Sequence, residues 1–214
     1  MEKRRFVYNA DWTAEGSSGE GNDKSQVFSN TDRRIFCLYG DVNTRNCADI
    51  AFDITAINME DDSDESEKKD YKRRPIRIYF NSYGGSVYDM WLLTDTILGS
   101  RTPVYTYCTG DAMSAAFIAF LSGHKRFMSR HATLMYHQIY CWRSGKYQDL
   151  VEDREHLDHL NESIEAFVME RTGLTEKDLE GIRERKQDAY FSADTAKKLG
   201  IVDEVMADVG VEME

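Results

Sequence analysis

The chain has 214 residues of which 41% are hydrophobic, enough for one domain with a sizeable core and without need of a second. Its 27 Lys plus Arg stand against 38 Asp plus Glu, and the net charge of −11 argues against nucleic acid or an anionic membrane surface as a partner. No apolar run approaches the ~20 residues of a membrane span, and the polar start leads into no apolar signal region, so a cytosolic (cytoplasmic) chain is expected.

Residues 1–30 carry one short apolar stretch, Phe6 to Tyr8, and then a segment rich in Gly, Ser, Glu and Asp that reads as a flexible arm. A strand is predicted over residues 35–39, a turn at Gly40 and Asp41, and a helix over 44–57 with Ala48, Ile50, Ala51, Ile54 and Ile57 on one face. The charge run from Glu60 to Arg74 reads as a solvated loop without chemistry. Residues 76–80 form a second strand that runs into Asn81-Ser-Tyr-Gly-Gly-Ser-Val87, where paired glycines allow positive φ and close approach of the backbone to a ligand. The helix that follows has Met90, Trp91, Leu93, Ile97 and Leu98 as its apolar face and stops at Gly99.

Residues 104–108 read as a buried strand, Gly110 and Asp111 as a corner, and residues 115–121 as a core helix. Ser114 stands at that corner. Strand, sharp turn, serine and helix is the layout of a presented nucleophile, although Gly-Asp-Ala-Met-Ser is not G-x-S-x-G; the plainer alternative is that Ser114 caps the helix. The two strands and the helix between them make a βαβ unit, which sets both glycine-marked strand ends on one edge of a parallel sheet, where α/β sites form. Residues 133–137 are another strand, and its terminal His137 falls on the same edge as Gly85 and Ser114, where a base would be useful; the plainer alternative is a satisfied core histidine. His124, His131, His156 and His159 lie in polar sequence and read as surface residues rather than metal ligands.

Residues 145–171 form a long helix with Leu150, Val151, Leu157, Leu160, Ile164, Phe167 and Val168 in one stripe. At 1.5 Å per residue it is ~40 Å long, more than a compact domain of this size needs, so part of the stripe is expected to pack on another subunit. The tail reads as a strand, a capped helix ended by Gly200, and a last strand. Cys37, Cys47, Cys108 and Cys141 form no C-x-x-C pair, which points to neither a disulfide framework nor a zinc site.

The stretches Asn81-Ser-Tyr-Gly-Gly-Ser-Val, Cys108-Thr-Gly-Asp-Ala-Met-Ser-Ala-Ala, Leu134-Met-Tyr-His-Gln and Phe191-Ser-Ala-Asp-Thr-Ala-Lys-Lys-Leu-Gly-Ile-Val-Asp resemble, in order, the signature segments of the Clp protease proteolytic subunit (ClpP) family. The resemblance covers about residues 34–206 and implies an α/β fold of repeated β-β-α (βαβ) units, of the ClpP/crotonase type, with a long protruding handle helix. It divides the chain into an arm (1–30), a peptidase domain (31–206, handle about 145–171) and a tail (207–214).

It further implies a serine endopeptidase acting through an acyl-enzyme, with Ser114 as nucleophile, His137 as base, and the N–H groups of Gly85 and Ala115 as oxyanion hole. Alignment on Phe191-Ser192-Ala193 places Glu184 as the acid behind His137, ahead of Asp188 as the alternative. Polypeptide substrates, heptameric rings stacked as a tetradecamer, and an ATP-dependent (AAA+) unfoldase as partner are implied as well, with no cofactor or metal. The family's usual prolines are replaced by Tyr83 and Ile139, and Arg77 stands where an apolar or aromatic docking residue is common. A catalytically impaired ring subunit, or an acyl-CoA enzyme of the related crotonase architecture, are the alternative readings.

Overall fold

A computed structural model describes residues 27–141 and 143–206, with residues 27 and 28 by backbone alone. The arm as far as residue 26 and the tail from residue 207 lie outside the described residues.

Repeated β-α steps dominate the first half: β2 (Ile35–Val42), α1 (Thr44–Glu67), β3 (Ile76–Gly85), α2 (Val87–Leu98), β4 (Val104–Met113) and α3 (Ala115–Leu121). Strand β1 (Val27–Asn30), within the stretch expected to be an arm, pairs antiparallel with β2, while β2, β3 and β4 run parallel to one another. Along β3 the residues alternate: Ile76, Ile78 and Phe80 are buried and Arg77 and Tyr79 are half-buried, the period expected of a strand with one face on the core. The other face carries an aromatic row, with Tyr79 stacked on Tyr107 and Tyr107 on Phe127, each pair at 4.7 Å between ring centres.

Helix α3 has all seven residues buried and packs on β3 and β4, so it is the centre of the core. Strand β4 is shared between two neighbours. Its first part, Tyr105–Cys108, pairs with β5 (Lys125–Ser129), and its last part, Asp111–Met113, pairs with β6 (Thr133–Tyr136). The sheet therefore forks along β4 shortly before Ser114. Strand β5 escaped the sequence reading because its apolar residues are short in number, Phe127 and Met128 between cations.

Two sequence expectations need correction. The charge run is not a loop at its start: α1 continues through Glu67, because Asp61 turns inward and is fully buried against Arg34. Nor does the chain turn at Gly110 and Asp111. Strand β4 continues to Met113, and Gly110 is needed instead for contact, since a Cβ there would stand 1.9 Å from Asn81 Oδ1, which accepts the Asp111 N–H.

The second half supplies α4 (Tyr147–Arg171), α5 (Glu176–Arg185), β7 (Ala189–Phe191), α6 (Ala193–Lys198) and β8 (Glu204–Met206). Strand β7 pairs antiparallel with β6, and β8 closes the other branch on β5. On α4 only Ile164, Phe167 and Val168 are buried, all in its last two turns, while Leu150 near its start is exposed. The stripe read from the sequence is thus covered at one end and open at the other. Among the described residues no helix is long and apolar enough to cross a membrane.

Candidate active site

The turn expected at the β4–α3 junction falls on Ser114 itself. Its φ of 53° and ψ of −124° put a residue with a Cβ in a region that favours glycine, and its side chain makes no cap hydrogen bond to α3. The capping alternative is thereby removed. Backbone bonds hold the strained turn from both sides: the Ser114 N–H donates to the Met135 carbonyl of β6 at 2.9 Å, and the Ser114 carbonyl accepts the Phe117 N–H at 3.0 Å. The first of these bonds joins the turn to the strand that leads into His137, two residues beyond Met135.

Gly84 lies against the turn and Gly85 against Val42 of β2, in backbone conformations of φ +108° and +152°. A Cβ on Gly84 would stand 2.8 Å from both the Met113 carbonyl oxygen and Ser114 Cβ, and one on Gly85 would stand 2.2 Å from the Val42 carbonyl oxygen. Both glycines are thus required by space as well as by torsion. Ala115 is the first residue of α3, so its N–H has no carbonyl within the helix to bind.

Gly85, Ser114, Ala115 and His137 line one cavity of about 200 Å³. The rest of its wall is mostly apolar, with Val87, Met90, Ile118, Ile139 and Ile164 among the contributors. Tyr136 is also part of it, and burial pushes its phenol well above the usual range, so it stays neutral there.

The two acids are placed differently. Glu184 is exposed in the last turn of α5, Asp188 is exposed just before β7, and neither lines the cavity. The β6–β7 register runs Leu134 to Phe191, Met135 to Tyr190 and Tyr136 to Ala189, so one further step of the ladder would set Asp188 across from His137. The Asp188 carboxylate accepts a bond from Tyr190 Oη at 3.4 Å. Among the described residues no side chain is hydrogen-bonded to His137.

Two of the other histidines are engaged elsewhere. His156 Nε2 meets Tyr88 Oη at 2.6 Å across α4 and α2, and His124 Nδ1 accepts the Val104 N–H. Burial pushes the Cys47 and Cys108 thiols up to about 12, which makes them inert packing residues. Among the described residues no group of three or more His, Cys, Asp or Glu is arranged to hold a metal.

The sequence profile described as Clp protease matches residues 19–209. The chain belongs to the Clp protease family. It is similar to two proteins of Frankia casuarinae named ATP-dependent Clp protease proteolytic subunit 2 and subunit 3, each 33% identical over 144 residues that make up 66% of this chain. Those residues cover 64% and 65% of the two relatives, so the chain spans a little under two thirds of their length. A protein of Rhodopirellula baltica named ATP-dependent Clp protease proteolytic subunit 1 is 28% identical over 181 residues, 82% of this chain and 73% of that one. The mixed α/β architecture with its long α4 agrees with membership of the family.

Proposed function

We propose that the chain is a serine endopeptidase, the proteolytic subunit of a ring-forming protease whose polypeptide substrates are delivered by an ATP-dependent unfoldase. The observation that carries this reading is Ser114: a strained, uncapped serine at a strand-to-helix turn, opening on the same cavity as His137. Strain of this kind persists where the surrounding structure over-determines it, as the Met135 bond and the close packing of Gly84 do here.

In the proposed reaction His137 takes the Ser114 proton as Oγ attacks a peptide carbonyl, and returns it to the leaving amine. The acyl-enzyme is then hydrolysed by water that His137 activates. The N–H groups of Gly85 and Ala115 hold the developing oxyanion. An acid from the α5–β7 segment orients His137: family alignment points to Glu184 and the strand register to Asp188. The exposed position of both acids favours, as a second reading, a subunit whose catalysis is impaired.

The open end of α4 supports assembly. Tyr147 is 81% and Leu150 41% exposed on a helix whose far end is in the core, a surface suited to a neighbouring subunit. For the unfoldase, the half-exposed aromatic row of Tyr79, Tyr107 and Phe127 offers an apolar surface for a partner's side chain, with Arg77 on the same strand face.

Hydrolysis of a short fluorogenic peptide by the assembled protein tests the reading. Ser114→Ala and His137→Ala are each expected to lower kcat by about 10⁴-fold. Comparison of Glu184→Ala with Asp188→Ala assigns the acid, the true one losing most of the rate and the other little. No turnover by the wild-type protein would leave the impaired-subunit reading in its place.

A further inference from the structure

The segment that carries His137 is tied to the long helix at one backbone group. Two residues after the base, the Ile139 N–H donates to Asn161 Oδ1 of α4 at 3.2 Å. The orientation of that amide is fixed from its other end, since Asn161 Nδ2 donates to the Leu157 carbonyl one turn back on α4 at 3.0 Å. A flipped amide would set donor against donor at Ile139, so both bonds form in this orientation alone.

The pairing of β6 with β7 ends at Tyr136, and the next regular element, α4, starts at Tyr147. Among the described residues the Ile139–Asn161 bond is the one hydrogen bond that joins residues 137–141 to another element. Ile139 packs against the core and lines the catalytic cavity, and so does Ile164, less than one turn after Asn161. A proline at position 139, usual in the family that the sequence resembles, would have no N–H to give. Isoleucine supplies a donor that a half-buried site must satisfy, and Asn161 satisfies it.

We propose that Asn161 is a positioning residue for the catalytic base: by holding the Ile139 N–H it fixes residues 137–140 against the long helix, and with them the direction of His137. The inference rests on the peptidase reading for its kinetic consequence. Its structural consequence, protection of the Ile139 amide, stands apart from that reading. It makes α4 the part of the fold to which His137 answers.

The test combines kinetics with hydrogen exchange on the assembled full-length protein. Loss of the acceptor by Asn161→Ala is expected to lower kcat for a short peptide about 10-fold, with KM changed much less, and to speed exchange of the Ile139 amide about 10-fold. Asn161→Asp keeps an acceptor and is expected to stay within about 3-fold of wild type in both readouts. In an Ile139→Pro background there is no N–H to hold, so adding Asn161→Ala is expected to change kcat by less than about 2-fold. Equal losses from Asn161→Ala in both backgrounds, or an unchanged Ile139 exchange rate, would overturn the proposal. If the wild-type protein hydrolyses nothing, the peptidase reading fails and exchange alone decides: faster exchange in Asn161→Ala upholds the tie, and unchanged exchange refutes it.

Discussion

At the scale of single residues, the site depends on backbone conformations that its side chains resist. Ser114 occupies a positive-φ turn that glycine would enter freely, so Ser114→Gly is expected to raise stability by about 1 kcal/mol while abolishing peptide hydrolysis. A thermal or urea melt beside an activity assay checks both halves. The opposite result is expected at Gly84, where a methyl group would meet Met113 O and Ser114 Cβ at 2.8 Å: Gly84→Ala should cost about 2 kcal/mol or more and remove activity. That Ser114, His137 and Gly85 meet at one cavity was legible in the sequence because each stands at, or one residue after, the end of a parallel strand. The contribution of Gly84 to the turn was not, because the Gly-Gly pair reveals permissive torsions but not what the missing Cβ would strike. The acid was ambiguous for a similar reason: spacing from Ser192 selects Glu184, whereas pairing with β6 selects Asp188.

At the scale of elements, β4 decides where the site lies, since it exchanges β5 for β6 as its neighbour and delivers Ser114 and His137 to the same end of the sheet. The alternation of β3 and the apolar α3 were visible in one dimension; the fork was not, because it depends on which strand each half of β4 pairs with. The extension of α1 was hidden by its charge. Asp61 is buried with Arg34 at 2.5 Å, Thr102 Oγ1 at 2.5 Å and Tyr71 Oη at 2.6 Å, so a residue that reads as solvated is a structural one. Burial alone would raise its carboxyl, but the donors from Arg34, Thr102 and Tyr71 outweigh it and hold the carboxyl at about 2, below its ordinary 3.8. A depressed carboxyl stabilises the fold fully above the unfolded value, and that contribution is lost as pH falls from about 4 through 2. Asp61→Asn, which leaves Arg34 buried without its counter-charge, is expected to cost about 3 kcal/mol at pH 7 and to flatten this acid limb in denaturation curves.

At the scale of the whole molecule, two of the apolar surfaces that the described residues leave open bear on assembly: the exposed first turns of α4 and the half-exposed aromatic row on the sheet. If the first is a contact between subunits, Leu150→Glu should shift the assembled protein to smaller species in sedimentation while each subunit keeps its fold. The long helix was predictable from its heptad-like stripe, but only the structure shows that burial is confined to Ile164, Phe167 and Val168. The central claim, that Ser114 is an activated nucleophile, is tested most directly by treating the assembled protein with a fluorophosphonate and locating the adduct by mass spectrometry. A single adduct on Ser114, abolished by Ser114→Ala and strongly slowed by His137→Ala, is the expected result. No adduct on correctly assembled protein, or one that survives Ser114→Ala, would contradict it.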